Sequence, residues 1–324
     1  MVRENLHQVR MKRYQALVGQ RILGHAGAIS ILTVAGFLIF CITAFPQSAY
    51  RGNSSSADSF LRSSMEEELK AEADDHTHWM YQERTGVAGK EQLKLVVETR
   101  QGDIDRLSSV NGQPISAEQQ KQEDRRIDRL LHKENEQEKS KHAQEEDARQ
   151  TEHFFKVLPD AVTGSYGDNK GDLIEILFKP NPNFRPASHE DAVFHAMAGR
   201  IWINRKEGRL AEIEGHLIQD VRFADGLLGH LDEGGEFHVR QSEVAPGHWV
   251  LTLLHVNMHG KALFFKTIAV QQDEIRSNFQ RVPDDMTLAQ AVEQLEKQST
   301  EKSIAVRTRP FPLSNETAWK TNPK

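Results

Sequence analysis

The chain has 324 residues, enough for one large domain or two small ones with extra segments at the ends. Its formal net charge of -6 argues against a nucleic-acid partner, which calls for a clustered basic surface. Hydrophobic residues make up only 38%, so part of the chain is solvated rather than packed, and the single cysteine, Cys41, excludes an internal disulfide.

From Ala26 to Phe45 the chain carries no charge. A helix of about 20 residues spans roughly 30 Å, the thickness of the hydrocarbon core of a bilayer. Before it stand Arg3, Arg10, Lys12, Arg13 and Arg21 against the single acid Glu4. The excess of positive charge places residues 1–25 in the cytoplasm, a transmembrane or signal-anchor helix at 26–45, and the remainder outside. A cleaved signal peptide is the alternative, but Ile42 and Gln47, three residues before cuts after Ala44 and Ala49, are poor cleavage-site residues. The expected location is the bacterial cell envelope, with the exported domain in the periplasm and the membrane itself as one partner.

Residues 46–59 include the small, polar run RGNSSSAD and read as a flexible tether. Phe60, Leu61, Met65 and Leu69 then recur at helical spacing. From His76 the period changes to two: His76 to Arg84, Gln92 to Arg100 and Ile104 to Val110 read as strands of a meander, with Asn111-Gly112 a strong turn signal. Ser116 followed by Gln119 matches a capping box, opening a charged helical insertion over 116–158. Between Leu131 and Phe154 only Ala143 and Ala148 are apolar, so this helix has no face to bury until Phe154, Phe155, Val157 and Leu158 dock before Pro159 stops it.

Further strands are expected at Asp172 to Lys179, Gly199 to Asn204, Leu210 to Gln219, Glu236 to Gln241, His248 to Met258 and Lys261 to Gln271. Gly164, Gly167 and Gly171 are spaced as turns, and His259-Gly260 is a further turn signal. His248 to Met258 is apolar on both sides and reads as a central strand covered on both faces. The β-rich domain then covers 60–283, a C-terminal helix 284–297 places Leu288, Ala291, Val292 and Leu295 on one side, and 298–324 reads as a disordered tail. Many short strands without long helices between them indicate an antiparallel sheet that curls or closes.

Chemistry-bearing patterns are sparse. Asp74, Asp75, His76 and His78 place two imidazoles beside two carboxylates, but spacing identifies no third metal ligand. The other histidines show no metal-binding pattern, and His255 reads as a hydrogen-bonded core residue. No nucleophile elbow and no phosphate-cradling loop is present. The expectation is a protein that is not an enzyme, with no catalytic residues, no metal and no cofactor. What remains is apolar surface: Trp79, Phe178, Trp202, Trp249, Leu251, Leu253, Phe264 and Phe265 lie in expected strands and are the candidate lining of an apolar cavity.

Several blocks carry a resemblance. They are Asn111 to Gln122 (NGQPISAEQQKQ) ahead of a charged helix closing in FFKVLP, then FKPNPNFRP (Phe178 to Pro186), GRIWIN (Gly199 to Asn204) and ALFFK (Ala262 to Lys266). In these the chain resembles a group of exported bacterial proteins related in fold to the periplasmic outer-membrane lipoprotein carrier, over roughly His76 to Phe279. The resemblance implies an incomplete half-barrel: a curved antiparallel sheet with covering helices filling its concave face. It also implies an apolar cavity for a lipid or acylated lipoprotein, with no single cavity residue of the carrier carried over. A membrane-tethered interaction or sensor module, meeting a protein partner at the charged helix, is the alternative reading. A metal-dependent enzyme around His76 and His78 is the third.

Overall fold

Alternation of apolar and polar side chains sets the architecture, seen in a computed structural model that describes residues 56–305 except 88, 224–228 and 263–265; at 87, 262, 266–268 and 299–305 the backbone alone is described. The segments 1–25 and 26–45, the tether up to 55 and the tail from 306 lie outside the described residues. Among the described residues no helix is long and apolar enough to cross a membrane. They form a mainly β structure, one antiparallel sheet of 13 strands that does not close, together with five helices.

The chain enters through α1 (Ser56–Asp74) and starts the sheet at its middle. Strands β1 (His78–Val87), β2 (Lys90–Val97), β3 (Ile104–Val110) and β4 (Gln113–Pro114) meander outward to one edge. Helices α2 (Ala117–His132) and α3 (Glu134–Ala161) carry the chain to the opposite edge. There β5 (Val162–Lys170) and β6 (Leu173–Pro180) begin the return, followed by the short α4 (His189–Phe194), β7 (Met197–Asn204) and β8 (Leu210–Leu217). The ribbon of β9 (Val221–Phe223) and β10 (Gly229–Leu231) hangs on β12 (His248–Ala262), which lies between β11 (Glu236–Ala245) and β13 (Lys266–Val282). β13 closes on β1, joining the first and last strands, and α5 (Leu288–Ala305) follows.

Strand register divides the side chains between two faces. Ile176, Ile201, Ile213, Val239 and Leu254 stand opposite one another in successive strands and form the main core with Leu61 and Met65 of α1, Phe155 and Leu158 of α3, and Val193 and Phe194 of α4. The same register continues this face through Glu274, Arg276, Glu83, Tyr81, Lys94, Val96 and Asp105. On the other face Met80, Leu95, Val97 and Ile104 pack beneath α5 and Ile127 of α2 as a second core. A helix at each end of the sheet thus covers opposite faces, and full burial of each large apolar side chain contributes about 1.5–3 kcal/mol.

The sheet also forks. β12 pairs with β13 from Ala262↔Lys266 as far as Leu253↔Ile275. Beyond that point β13 continues with β1 alone, to His78↔Val282, while the first residues of β12 pair with β11 alone. A third cluster, Trp79, Tyr81 and Val96 with Phe279 of the β1–β13 blade and Val244, Ala245 and Val250 of the β11–β12 blade, fills the gap.

Local signals act as expected at several points. Ser116 Oγ accepts from Gln119 N at 3.2 Å while Gln119 Oε1 accepts from Ser116 N at 2.8 Å, a complete capping box. Thr287 and Gln290 exchange the same bonds before α5. Asn111 and Gly112 both take positive φ, 50° and 72°, the twist a two-residue hairpin requires.

Other expectations are corrected. α1 begins at Ser56, not Phe60, because Asp58 in its first turn accepts from Gly164 N at 2.6 Å. The charged helix is two helices, broken where Lys133 turns extended, which lets the stripe of α2 dock on the second core while α3 crosses the molecule. Pro159 does not stop α3, which runs to Ala161; in the last turn a proline removes a single ladder bond. Gly164 and Gly167 lie inside β5. His259-Gly260 is no turn but part of β12, where a Cβ on Gly260 would meet His230 O at 2.1 Å; the glycine admits the backbone of β10. β12 is central but fully buried on one side only, with Leu254, Val256 and Met258 inside and Leu253, His255 and Asn257 half-buried. His255 is accordingly paired with Asp273 at 2.6 Å at the sheet surface. α5 continues past Lys297 to Ala305.

One contact fastens α1 to the sheet. Glu68, 2% exposed, accepts from Arg209 Nε and Nη2 at 2.9 and 3.1 Å, from Leu210 N, and from Gln241 Nε2 at 3.4 Å. Glu68→Ala leaves the Arg209 guanidinium buried without its counter-charge and should cost about 3–5 kcal/mol in urea unfolding, while Glu67→Ala should fall within about 0.5 kcal/mol of the parent.

Candidate functional site

The main-core face carries a cover of helices whose side chains bond to one another and to the sheet. Arg62 Nη2 of α1 donates to Asp160 Oδ1 at 2.5 Å and to Pro159 O at 3.3 Å, joining α1 to the end of α3. Asp58 and Glu68 hold α1 to β5 and β8. His153 Nε2 of α3 meets Asp191 Oδ1 of α4 at 2.7 Å, and Asp191 Oδ2 accepts from Ala187 N at 3.0 Å. The bond to Asp191 pushes His153 above its usual range. Burial works to raise Asp191, but the bonds from His153 and Ala187 overcome it and hold it low, so each partner favours the charged form of the other. Burial and neighbouring Glu68 push Glu72 up.

The candidate lining residues do not converge on one cavity. Phe178 is buried in the main core, with Leu251 packed against it. Trp79 belongs to the third cluster, edge-on to His248 at 5.7 Å and to Phe279 at 6.4 Å. Trp202 is buried on the opposite face from the main core, across from Glu175 and Glu212, with Lys170 Nζ 4.4 Å from its ring centre. Trp249 donates from Nε1 to Glu207 Oε2 at 2.7 Å. Leu253 is half-buried opposite Ile275, itself 42% exposed. Phe264 and Phe265 lie outside the described residues. A depression of ≈ 330 Å³ beside α5, lined by Asp285, Gln290, Glu293 and Lys297 among others, is too polar for an acyl chain.

At the base of the fork the main-core face turns ionic, a feature the hydropathy pattern hides because alternation predicts only that one side is inside. Glu274 and Arg276 of β13, Glu83 of β1, Lys94 of β2, Glu98 just after β2, Asp103 just before β3 and Asp105 within it form one group, in which Glu274, Glu83 and Lys94 are buried and the others half-buried. Arg276 Nε lies 2.6 Å from Glu274 and 3.9 Å from Glu83, and its guanidinium sits 5.2 Å above the Tyr81 ring. Lys94 Nζ and Arg126 Nη1 of α2 both lie 3.2 Å from Asp105. Glu98 Oε2 accepts from Trp79 N at 2.9 Å. Burial, with Glu274 beside it, pushes Glu83 up to about 7. Burial and Asp103 push Glu98 to about 8, and burial pushes Asp103 to about 6 despite Arg276. Burial would raise Asp105 too, but Lys94 and Arg126 overcome it and keep it low. Carboxylates that titrate near neutrality inside a fold mark a candidate functional centre.

Among the described residues one group of potential metal ligands converges: Glu212, Glu214 and His238, on the face away from the main core. Its carboxylates are already matched by cations. His238 Nε2 meets Glu212 at 2.6 Å, Arg240 Nη2 meets it at 3.1 Å, and Arg200 Nε meets Glu214 at 2.9 Å. Burial works to raise Glu212, yet the bonds from His238 and Arg240 bring it down to about 2, the signature of an ion-pair ladder. The expected His76–His78 pair does not gather further ligands: His76 is exposed and Asp75 bonds Thr77 N at 2.8 Å and His248 Nδ1 at 3.1 Å.

The His153–Asp191 bond gives a pH test of the cover. A raised imidazole contributes stability that is fully present below about pH 6.5 and is lost as pH climbs through the folded value. NMR titration of His153 should therefore give a midpoint above about 6.5, and Asp191→Asn should return it to that ordinary value. An unmoved midpoint in the variant would rule the bond out as the cause.

Against known proteins the chain matches no family model, no curated protein and no solved structure.

Proposed function

We propose that this chain is a non-catalytic binding protein of the bacterial cell envelope that holds an acyl-bearing ligand, a lipid or an acylated protein, between its sheet and the helices over it. One observation carries the reading. The apolar face of an open sheet is covered by α1, the end of α3 and α4; Arg62–Asp160 and His153–Asp191 tie these helices to one another, and α1 meets the sheet through side-chain bonds from Asp58 and Glu68. Because its bonds to the sheet are made by side chains, α1 can lift without breaking the strand ladder. The sheet with covering helices also fits the half-barrel that the resemblance to the lipoprotein carrier implies. An acyl chain replacing Leu61, Met65, Phe155 and Leu158 against the sheet would gain about 0.8 kcal/mol per buried methylene, offset by the helical contacts it displaces. A basic N-terminal flank and the apolar run 26–45 would keep the domain at the inner membrane, where acyl ligands are supplied.

A specific observation favours a second reading. Side chains of the cover already fill the main core, while much of α2 and α3 presents charged residues to solvent. That arrangement suits a tethered module whose charged helices meet a protein partner.

Native mass spectrometry of the full chain, expressed with export and released from bacterial membranes in mild detergent, separates the two. An added mass that extracts as acyl-bearing lipid or lipopeptide, and that falls at least about tenfold in occupancy in Met65→Asp, is the expected result. A bare protein mass in the presence of those lipids would sink the acyl reading. Cross-links from α3 to one protein would then carry the second.

A further inference from the structure

The fork in the sheet and the ionic group at its base coincide, and the reading below does not depend on what the main core binds. β12 and β13 part after Leu253↔Ile275, immediately beside Glu274 and Arg276. Above that point no strand pairing joins the two blades among the described residues, and their side chains meet. Trp79, Tyr81, Val96 and Phe279 face Val244, Ala245 and Val250, and His248 Nδ1 reaches Asp75 Oδ2 at 3.1 Å. No ladder bond crosses the gap, so its closure depends on the apolar contact and on the charge state beneath it.

That charge is unbalanced. Glu83, Glu98, Asp103, Asp105 and Glu274 are five carboxylates, facing three cations: Lys94 of β2, Arg276 of β13 and Arg126 of α2. Arg126 is shared further with Glu123 of α2, at 2.7 Å. At the rim, Asp75 and His248 form a pair of their own. With every group ionised, the site carries two uncompensated negative charges beneath an aromatic cluster. Holding such charge in a largely buried group is costly. Trp79 is directly coupled to it, since its backbone N–H donates to Glu98 and its ring packs against the opposite blade's His248.

We propose that the β12–β13 fork is a proton-operated hinge: protonation of Glu83, Glu98 and Asp103 keeps the blades together over Trp79 and Tyr81, and ionisation parts them. The sign follows from the raised carboxylates. Closure is fully stabilised below the ordinary carboxylate range and is lost as pH rises through about 6 to 8. Tyr81, pushed well above its usual range by burial, stays neutral throughout and contributes no switch of its own.

Hydrogen–deuterium exchange of the full chain at pH 5.5 and 8.5, corrected for intrinsic rates, tests this. Amides at 78–82, 244–250 and 276–282 should lose protection by about tenfold or more at the higher pH, one pK unit in the opening equilibrium. Those at 174–178 and 211–214, within the main core, should not change. Glu83→Gln with Glu98→Gln should hold the fork protected at both values; Asp103→Asn, which should reduce the response in part, serves if the double variant does not fold. His248→Gln separates the hinge from its rim pair and should leave the response in place. Equal protection at both pH values would overturn the proposal. So would loss spread over the main core, a pH response that survives the carboxamide variants, or one that vanishes with His248.

Discussion

Pairing of β1 with β13 is the constraint on which the rest depends. It joins the strand that opens the sheet to the strand that ends it, nine residues of β1 pairing with β13 from His78↔Val282 to Val87↔Gln272 across one register shift between Met80 and Gln82. Without it, the outer meander β1–β4 and the returning run β5–β13 would have no strand pairing between them. The crossover follows from the same constraint. Once β4 has reached one edge and β13 must end at the centre, the returning strands have to start from the far edge, and α2 and α3 span the distance. Their charged middle is no ornament on the fold but the path between its two edges.

Open sheets expose strand edges, and this one blunts both. Glu123 of α2 accepts from Leu107 N of β3 at 2.8 Å, occupying an outward donor on one side. On the other, Asp58 of α1 accepts from Gly164 N, and Glu175 Oε2 accepts from Asp168 N at 2.8 Å. These three donors are consumed within the chain and cannot recruit another strand. The helices therefore cover the faces and the edges at once, so any motion of the cover bears on how the sheet meets other molecules.

Two ways of keeping charge inside are visible. Around Glu212 each carboxylate has its own cation at the sheet surface, and ionisation is favoured. At the fork, acids outnumber bases in a largely buried group, and ionisation is opposed. The first arrangement stabilises across the physiological range; the second stores sensitivity to pH. Placing the sensitive group where strand pairing already fails links a protonation event to a movement the backbone permits.

Much of the fold is legible in the sequence. Period-two alternation marks Ile104–Val110 and Leu210–Leu217, reciprocal capping at Ser116/Gln119 and Thr287/Gln290 marks helix starts, and the stripe Leu288, Ala291, Val292, Leu295 marks a buried face. These are local properties, set by side chains within a few residues of one another. β5 was hidden by its glycines and polar residues, since an edge strand held by Ile176 and Asp58 needs little apolar character of its own. The ladder partners, the fork and the gathering of Glu83, Glu98, Asp103 and Arg276 depend on residues up to about two hundred positions apart, and no local period encodes them. The aromatic residues that the sequence groups as one cavity are split between two faces because strand register, which only tertiary pairing decides, sets Phe178 on the main-core face and Trp202, also buried, on the opposite one.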